Sequence, residues 1–189
     1  MKLFCITGMP GAGKSIIASV AESIGLKVIA MGDVIREEAR RRGISESPES
    51  LGELMLALRR EEGPEAIAKR CIEKLSDEVA IIEGIRSLEE LDFFKSKAEV
   101  CLIAVHASPL TRFKRLLKRG RPDDPKNLEE FIIRDMREIR IGIGSVIALA
   151  DIMFINEGTI EELVEKVRDF FRREFIEGKS NCSSQTQSY

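Results

Sequence analysis

The 189-residue sequence has no tryptophan, one tyrosine and one histidine. So few stacking rings leave little platform for RNA or single-stranded nucleic acid. Charge of one sign is also lacking: 30 basic and 32 acidic side chains leave a net charge of −2. No overall basic field argues for bulk nucleic-acid binding, although a local basic pocket remains compatible with that balance. The four cysteines, Cys5, Cys71, Cys101 and Cys182, are too scattered for a paired zinc motif. Cys5 and Cys101 stand inside apolar runs and read as buried free thiols in a reduced, cytoplasmic setting. Long hydrophobic runs are missing too. The longest, IGIGSVIALADIMFI, is broken by Gly142, Gly144, Ser145 and Asp151 and is too short to span a bilayer. The N-terminal run KLFCIT leads straight into a glycine loop, which is not a secretory-leader pattern. A soluble protein with no membrane partner is expected.

What is present is an ordinary folding composition, 43% hydrophobic and 33% charged, and enough chain for one domain with a substantial core. Apolar runs recur at KLFCIT, LKVIAM, EVAIIE, VCLIAVH and ADIMFIN, each followed by charged sequence of helical period. Near-continuous apolar strands alternating with helices predict an α/β fold: a five-stranded, mostly parallel sheet with helices on both faces. Helix starts are marked at Ser108-Pro109, at Asn127 with Glu130, and at Thr159 with Glu162. Gly25 and Gly120 mark helix ends. Residues 33–76 read as a helical insertion, and residues 119–127, within KRGRPDDPKN, as a short lid loop. Both belong to one domain over residues 1–175. The polar tail 176–189 is expected to be disordered.

The most specific motif is GMPGAGKS, matching G-x-x-x-x-G-K-[ST] at every fixed position. Gly8, Met9, Pro10, Gly11, Ala12, Gly13, Lys14 and Ser15 are the expected phosphate cradle. Its glycines let successive amides turn toward an anion, and the following helix adds its positive end. Lys14 would reach the β- and γ-phosphates of ATP, and the Ser15 hydroxyl would ligate Mg²⁺. The guanine-reading signal N-K-x-D is absent. Motor and AAA-type ATPases generally have longer chains with oligomer-contacting arginines, so a small-molecule kinase leads.

Three further stretches bear on where the phosphate goes. In MGDVIREEARRRG, Asp33 and Arg36 are one helical turn apart beyond the second strand, where an arginine can pair with an acceptor's phosphate. In AIIEGIRS, Glu83 closes the third strand, placed to hold Mg²⁺ or accept a proton, and Arg86 supplies another anion clamp. In RFKRLLKRGRPDDP and RDMREIR, arginines recur at helical spacing on both sides of the charged loop. Arg119, Arg121 and Arg137 are the expected lid residues, closing on the transferred group and excluding water. Each charged position can instead be a solvated helix face. Asp123 and Asp124 either orient the arginines or cap the turn. The lone His106 reads as structural. The turn NEGT, from Asn156, either borders an adenine or leads to Thr159 as helix cap.

This order of motifs resembles nucleoside monophosphate kinases and is similar to dephospho-CoA kinases. The combination with E-G-I-R and R-G-R-P-D-D looks like archaeal adenylate-kinase-related P-loop proteins, over nearly the whole chain to Phe175. The resemblance implies ATP-Mg²⁺ on Gly8 to Ser15, Asp33 and Arg36 in the acceptor pocket, and Arg119, Arg121 and Arg137 in the lid. Adenylate kinases typically carry D-G-F-P-R after strand three, whereas this chain has Glu83-Gly84-Ile85-Arg86. The expected activity is transfer of the ATP γ-phosphate to a small phosphorylated acceptor. A regulatory or assembly ATPase is the alternative, and a kinase acting on RNA the more distant one.

Overall fold

The structure is a computed structural model that describes residues 1–175 and Cys182. Five strands, β1 (Lys2–Thr7), β2 (Lys27–Ala30), β3 (Val79–Ile85), β4 (Glu99–His106) and β5 (Ile152–Ile155), form one sheet of order β2-β3-β1-β4-β5. Every pairing is parallel. β1 lies at the centre, and five of its six residues are buried, as a strand covered on both faces requires.

Side-chain alternation along β1 divides the core. Leu3 and Cys5 enter a cluster with Ile82, Phe94 and Val146, while Phe4 and Ile6 enter another with Ile81, Ile103 and Phe171. The first cluster is covered by α2 (Met31–Arg41), α3 (Pro48–Glu62), α4 (Ala66–Ile72), α5 (Leu88–Lys95) and α8 (Ile143–Ala148). The second is covered by α1 (Lys14–Ser23) and α9 (Ile160–Phe175), with Phe4 edge-on to Phe170 and Phe171. α6 (Pro109–Arg119) and α7 (Leu128–Ile141) flank the charged loop.

Local signals account for the helix ends. Ser47, Ser87, Ser108 and Asn127 each accept a hydrogen bond from the backbone N–H three residues on. Thr159 caps α9 in the same way through the Glu162 N–H. The residues between β2 and β3 hold three helices and no strand, which is what residues 33–76 predict.

Three details differ from the sequence reading. β3 does not stop at Glu83 but continues to Ile85. Glu83 pairs with Ile6 and Ile85 with Thr7, so Gly84 is the extra residue of a bulge. The Thr7 hydroxyl donates to the Ile85 carbonyl at 2.8 Å and holds that irregular end. The apolar stretch before β5 contains the short helix α8, whose six residues show too little period to be recognised. Cys101 is not a free thiol: it forms a disulfide with Cys182 across 81 residues, beside the phenylalanines of the second cluster. Nothing in the spacing of the cysteines announces that pair. Cys5 is a free buried thiol, as is Cys71. The expectation for the rest of the tail lies outside the described residues. No helix among the described residues is long and apolar enough to cross a membrane.

Candidate functional site

The C-terminal ends of β1, β3 and β4 open at one edge of the sheet, the place where parallel α/β sheets bind ligands. The loop Gly8 to Gly13 follows β1 there and leads into α1. It is a close-fitting part of the fold. Gly8 has φ +145°, and a Cβ at that position would lie 2.3 Å from the Val105 carbonyl oxygen. Gly13 has φ +113°, and a Cβ there would meet the Asn156 amide nitrogen at 2.3 Å. Side chains are excluded at both positions by backbone angle and by space.

Inside the loop, the Lys14 ammonium donates to the Gly8 carbonyl at 2.7 Å and to the Met9 carbonyl at 3.4 Å. Its pKa is pulled down to about 8, first by burial and then by Arg86 and Arg134, against the opposing pull of Glu83 and Glu138. An ammonium in that setting, bonded to carbonyls, is completed by an anion, so the loop fits a polyphosphate. Ser15 is exposed at the start of α1.

Two buried polar side chains hold the loop from behind. Asn156, 3% exposed, donates to the Ala12 carbonyl at 2.8 Å and accepts from Arg115. Arg112, also 3% exposed, donates to the Pro10 carbonyl at 3.2 Å and to the Ala107 carbonyl at 3.1 Å. The same guanidinium makes a two-pronged pair with Asp135 of α7, at 2.8 and 2.6 Å, over the Phe131 ring. Loop, α6 and α7 are thereby tied at one residue.

Beyond the loop lies a cavity of about 140 Å³ between α2, α3, the charged loop and α7. Four guanidiniums line it, from Arg36, Arg86, Arg134 and Arg137. Carboxylates of Glu49, Asp123, Glu130 and Glu138 line it too, and Ile35, Leu51 and Met55 give it an apolar wall. Most of the arginines are matched. Arg36 binds Asp33, Arg134 binds Asp123 and Asp124, and the Arg86 Nε donates to Glu138 at 2.9 Å. Arg137 instead reaches across to the Pro48 carbonyl at 3.0 Å. Its guanidinium lies against Gly52, where a Cβ would come within 2.3 Å of Nη1.

Arg86 and Glu138 line this cavity and also a smaller one formed by Gly8, Pro10, Lys14, Gly84 and Ile143. Their ion pair is therefore the wall between the phosphate loop and the arginine-lined cavity.

The structure thus brings Lys14, Arg36, Arg86 and Arg137 to the two joined cavities. Glu83 is half-buried two residues before the end of β3 and acts on Lys14 electrostatically. Asp33 is exposed and holds Arg36. Arg119 and Arg121 line neither cavity. Arg119 pairs with Asp124, and the Arg121 N–H donates to the same carboxylate, so Asp124 closes the charged loop. His106 is exposed beyond the core. The sequence reading passed over Glu138, Asp135 and the anchoring role of Asn156. Each is a buried polar residue whose partner comes from a distant segment, so its own few neighbours carry no mark of it.

A family model described as "AAA domain" matches residues 7–131. A UPF0200 protein of Hyperthermus butylicus is 44% identical over 174 residues, covering 90% of this chain and 94% of that protein. The chain belongs to the UPF0200 family. Among solved structures, TT1252 from Thermus thermophilus matches with a TM-score of 0.64 at 18% identity, over 92% of this chain and 97% of its own. Shikimate kinase from Acinetobacter baumannii in complex with shikimate matches with a TM-score of 0.57 at 14% identity, over 93% and 94%. At such identities the likeness is one of fold. This UPF0200 chain is a nucleotide-binding P-loop protein of kinase-like fold.

Proposed function

We propose that this protein is a cytoplasmic ATP-dependent kinase that transfers the γ-phosphoryl group to a small phosphorylated acceptor, a nucleoside monophosphate or a dephospho-CoA-like molecule. The observation that carries the reading is the Arg86–Glu138 wall, with the Lys14 loop on one side and an arginine-lined cavity on the other. On this reading residues 1–175 are one domain, residues 33–76 its acceptor-binding insertion and residues 119–127 its lid.

The loop amides and Lys14 hold the β- and γ-phosphates. Arg36, Arg86 and Arg137 hold the acceptor's anion, and Glu49 and Glu130 accept from its hydroxyls. No aromatic ring lines the cavity among the described residues, so the acceptor's body rests on Leu51 and Met55. Ser15 and Glu83 would hold Mg²⁺, which supplies charge neutralisation between the β- and γ-phosphates. The new bond joins phosphorus to an acceptor oxygen as the bond to the β–γ bridging oxygen breaks. A phosphate oxygen brings no proton to remove; for a hydroxyl acceptor, Glu83 takes the proton. Lid closure brings Arg119 and Arg121 toward the transferred group. Positioning and electrostatics carry the rate.

The test is ADP release measured with and without a panel of nucleoside monophosphates and dephospho-CoA. Stimulation by one class supports the kinase reading. The "AAA domain" description of the matching family model favours a second reading, an ATPase whose cavity serves a partner or regulator. Hydrolysis that no acceptor stimulates would count for it.

A further inference from the structure

The outward face of α7 is unusual for a helix at the surface. Leu128, Ile132, Met136 and Ile139 are 56, 49, 46 and 50% exposed, and their spacing of four, four and three places them in one stripe. Ile133, 54% exposed, lies farther round the helix toward the arginine-rich cavity, which it also lines. An apolar strip of this kind on a charged, water-facing helix marks a contact surface.

The charges beside the strip indicate what covers it. Glu129 in the first turn and Arg140 in the last turn are both exposed and lie on the same flank. Among the described residues neither has an ion-pair partner. Eleven residues separate them, about 16 Å of helix. When two identical helices pack antiparallel about a two-fold axis, like flank meets like flank, and the N-terminal part of each faces the C-terminal part of the other. Glu129 of each copy then faces Arg140 of the other, making two equivalent ion pairs across one apolar seam. The same register sets Ile133 of one copy against Met136 of the other, and the helix dipoles oppose favourably.

The chain's own tail is a poorer occupant. Cys182 is seated with Phe4 and Phe171, in the core cluster under α1 and α9. α7 instead packs on α8, whose Val146 belongs to the opposite cluster.

We propose that α7 is a self-association surface on which a second copy of this chain docks antiparallel, with reciprocal Glu129–Arg140 pairs. One face of a 14-residue helix with two surface ion pairs makes a weak dimer, with Kd on the order of 1–100 μM. Because Arg134, Arg137 and Glu138 project from the other side of the same helix, the second copy sits beside the mouth of the cavity.

The test is sedimentation equilibrium of the full chain over a wide concentration range, with circular dichroism confirming that each variant folds. A dimer that grows with concentration is expected. Glu129→Arg and Arg140→Glu should each weaken association about tenfold, since each sets like charges together twice. The double variant should restore it, because the pairs are rebuilt in reverse. Met136→Asp should leave only monomer, because a carboxylate would be buried in the seam. A wild-type monomer at all concentrations would overturn the proposal. So would a dimer indifferent to the charge reversals, or a double variant that stays weak.

Discussion

The two halves of the candidate site are built differently. The phosphate-loop half is backbone: glycine angles, carbonyls and amides from eight consecutive residues, clamped from behind by Arg112 and Asn156. The other half is side chain: guanidiniums and carboxylates from α2, α3, the charged loop and α7, gathered over more than a hundred residues of sequence. A backbone site is made by one local fold and tolerates little change. A side-chain site can alter its ligand by exchanging single residues while the scaffold stays. The first half explains why nucleotide binding is shared widely among P-loop proteins, and on the proposed function the second is where the identity of the acceptor would reside.

Lys14→Ala gives the largest expected effect, because it empties the loop of its one ammonium. ATP turnover should fall by at least about 10³-fold, with the melting temperature little changed. Turnover assays beside a thermal melt check both parts, and unchanged turnover would remove the phosphate-loop half of the account. Arg36→Ala acts on the other half alone. It should raise the acceptor KM by about 10- to 100-fold and leave the ATP KM within about twofold. Equal shifts in the two constants would erase the division between halves.

The smallest effect concerns the stability of α2, the helix that carries Arg36. Hydrogen bonds from Arg41 at 2.8 Å and then from Arg42 at 2.6 Å hold the Glu38 carboxyl down to about 2, below its ordinary 4.5. A depressed carboxylate contributes stability that is full above about 4.5 and fades as pH falls toward 2. Thermal melts across that window should decline more steeply for wild type than for Glu38→Gln. Parallel curves would show that the Glu38 cluster does not anchor the helix.

The same division sets what could be read before folding. The phosphate loop, the five strands and the caps at Ser108, Asn127 and Thr159 are local patterns, so each stands in its own few residues. Arg36 and Arg86 were reachable because they follow strand ends, which always face the ligand edge of a parallel sheet. Arg112 shows where that reasoning stops. It shares helical spacing with Arg115 and Arg119, yet it is buried under the loop with Asp135, while Arg119 is spent on Asp124. Identical residue types at one period carry no mark of which is buried. Glu138 and the Cys101–Cys182 bridge fall in the same class, since their meaning comes from a partner 52 or 81 residues away.

The central claim is that the γ-phosphate crosses the Arg86–Glu138 wall to an acceptor. Following the label from γ-labelled ATP, in a mixture of small metabolites, tests it most directly. The account predicts a labelled phosphorylated product that is lost with Lys14→Ala and much reduced with Arg36→Ala. Label recovered as inorganic phosphate alone, at a rate that the metabolites do not change, would contradict it.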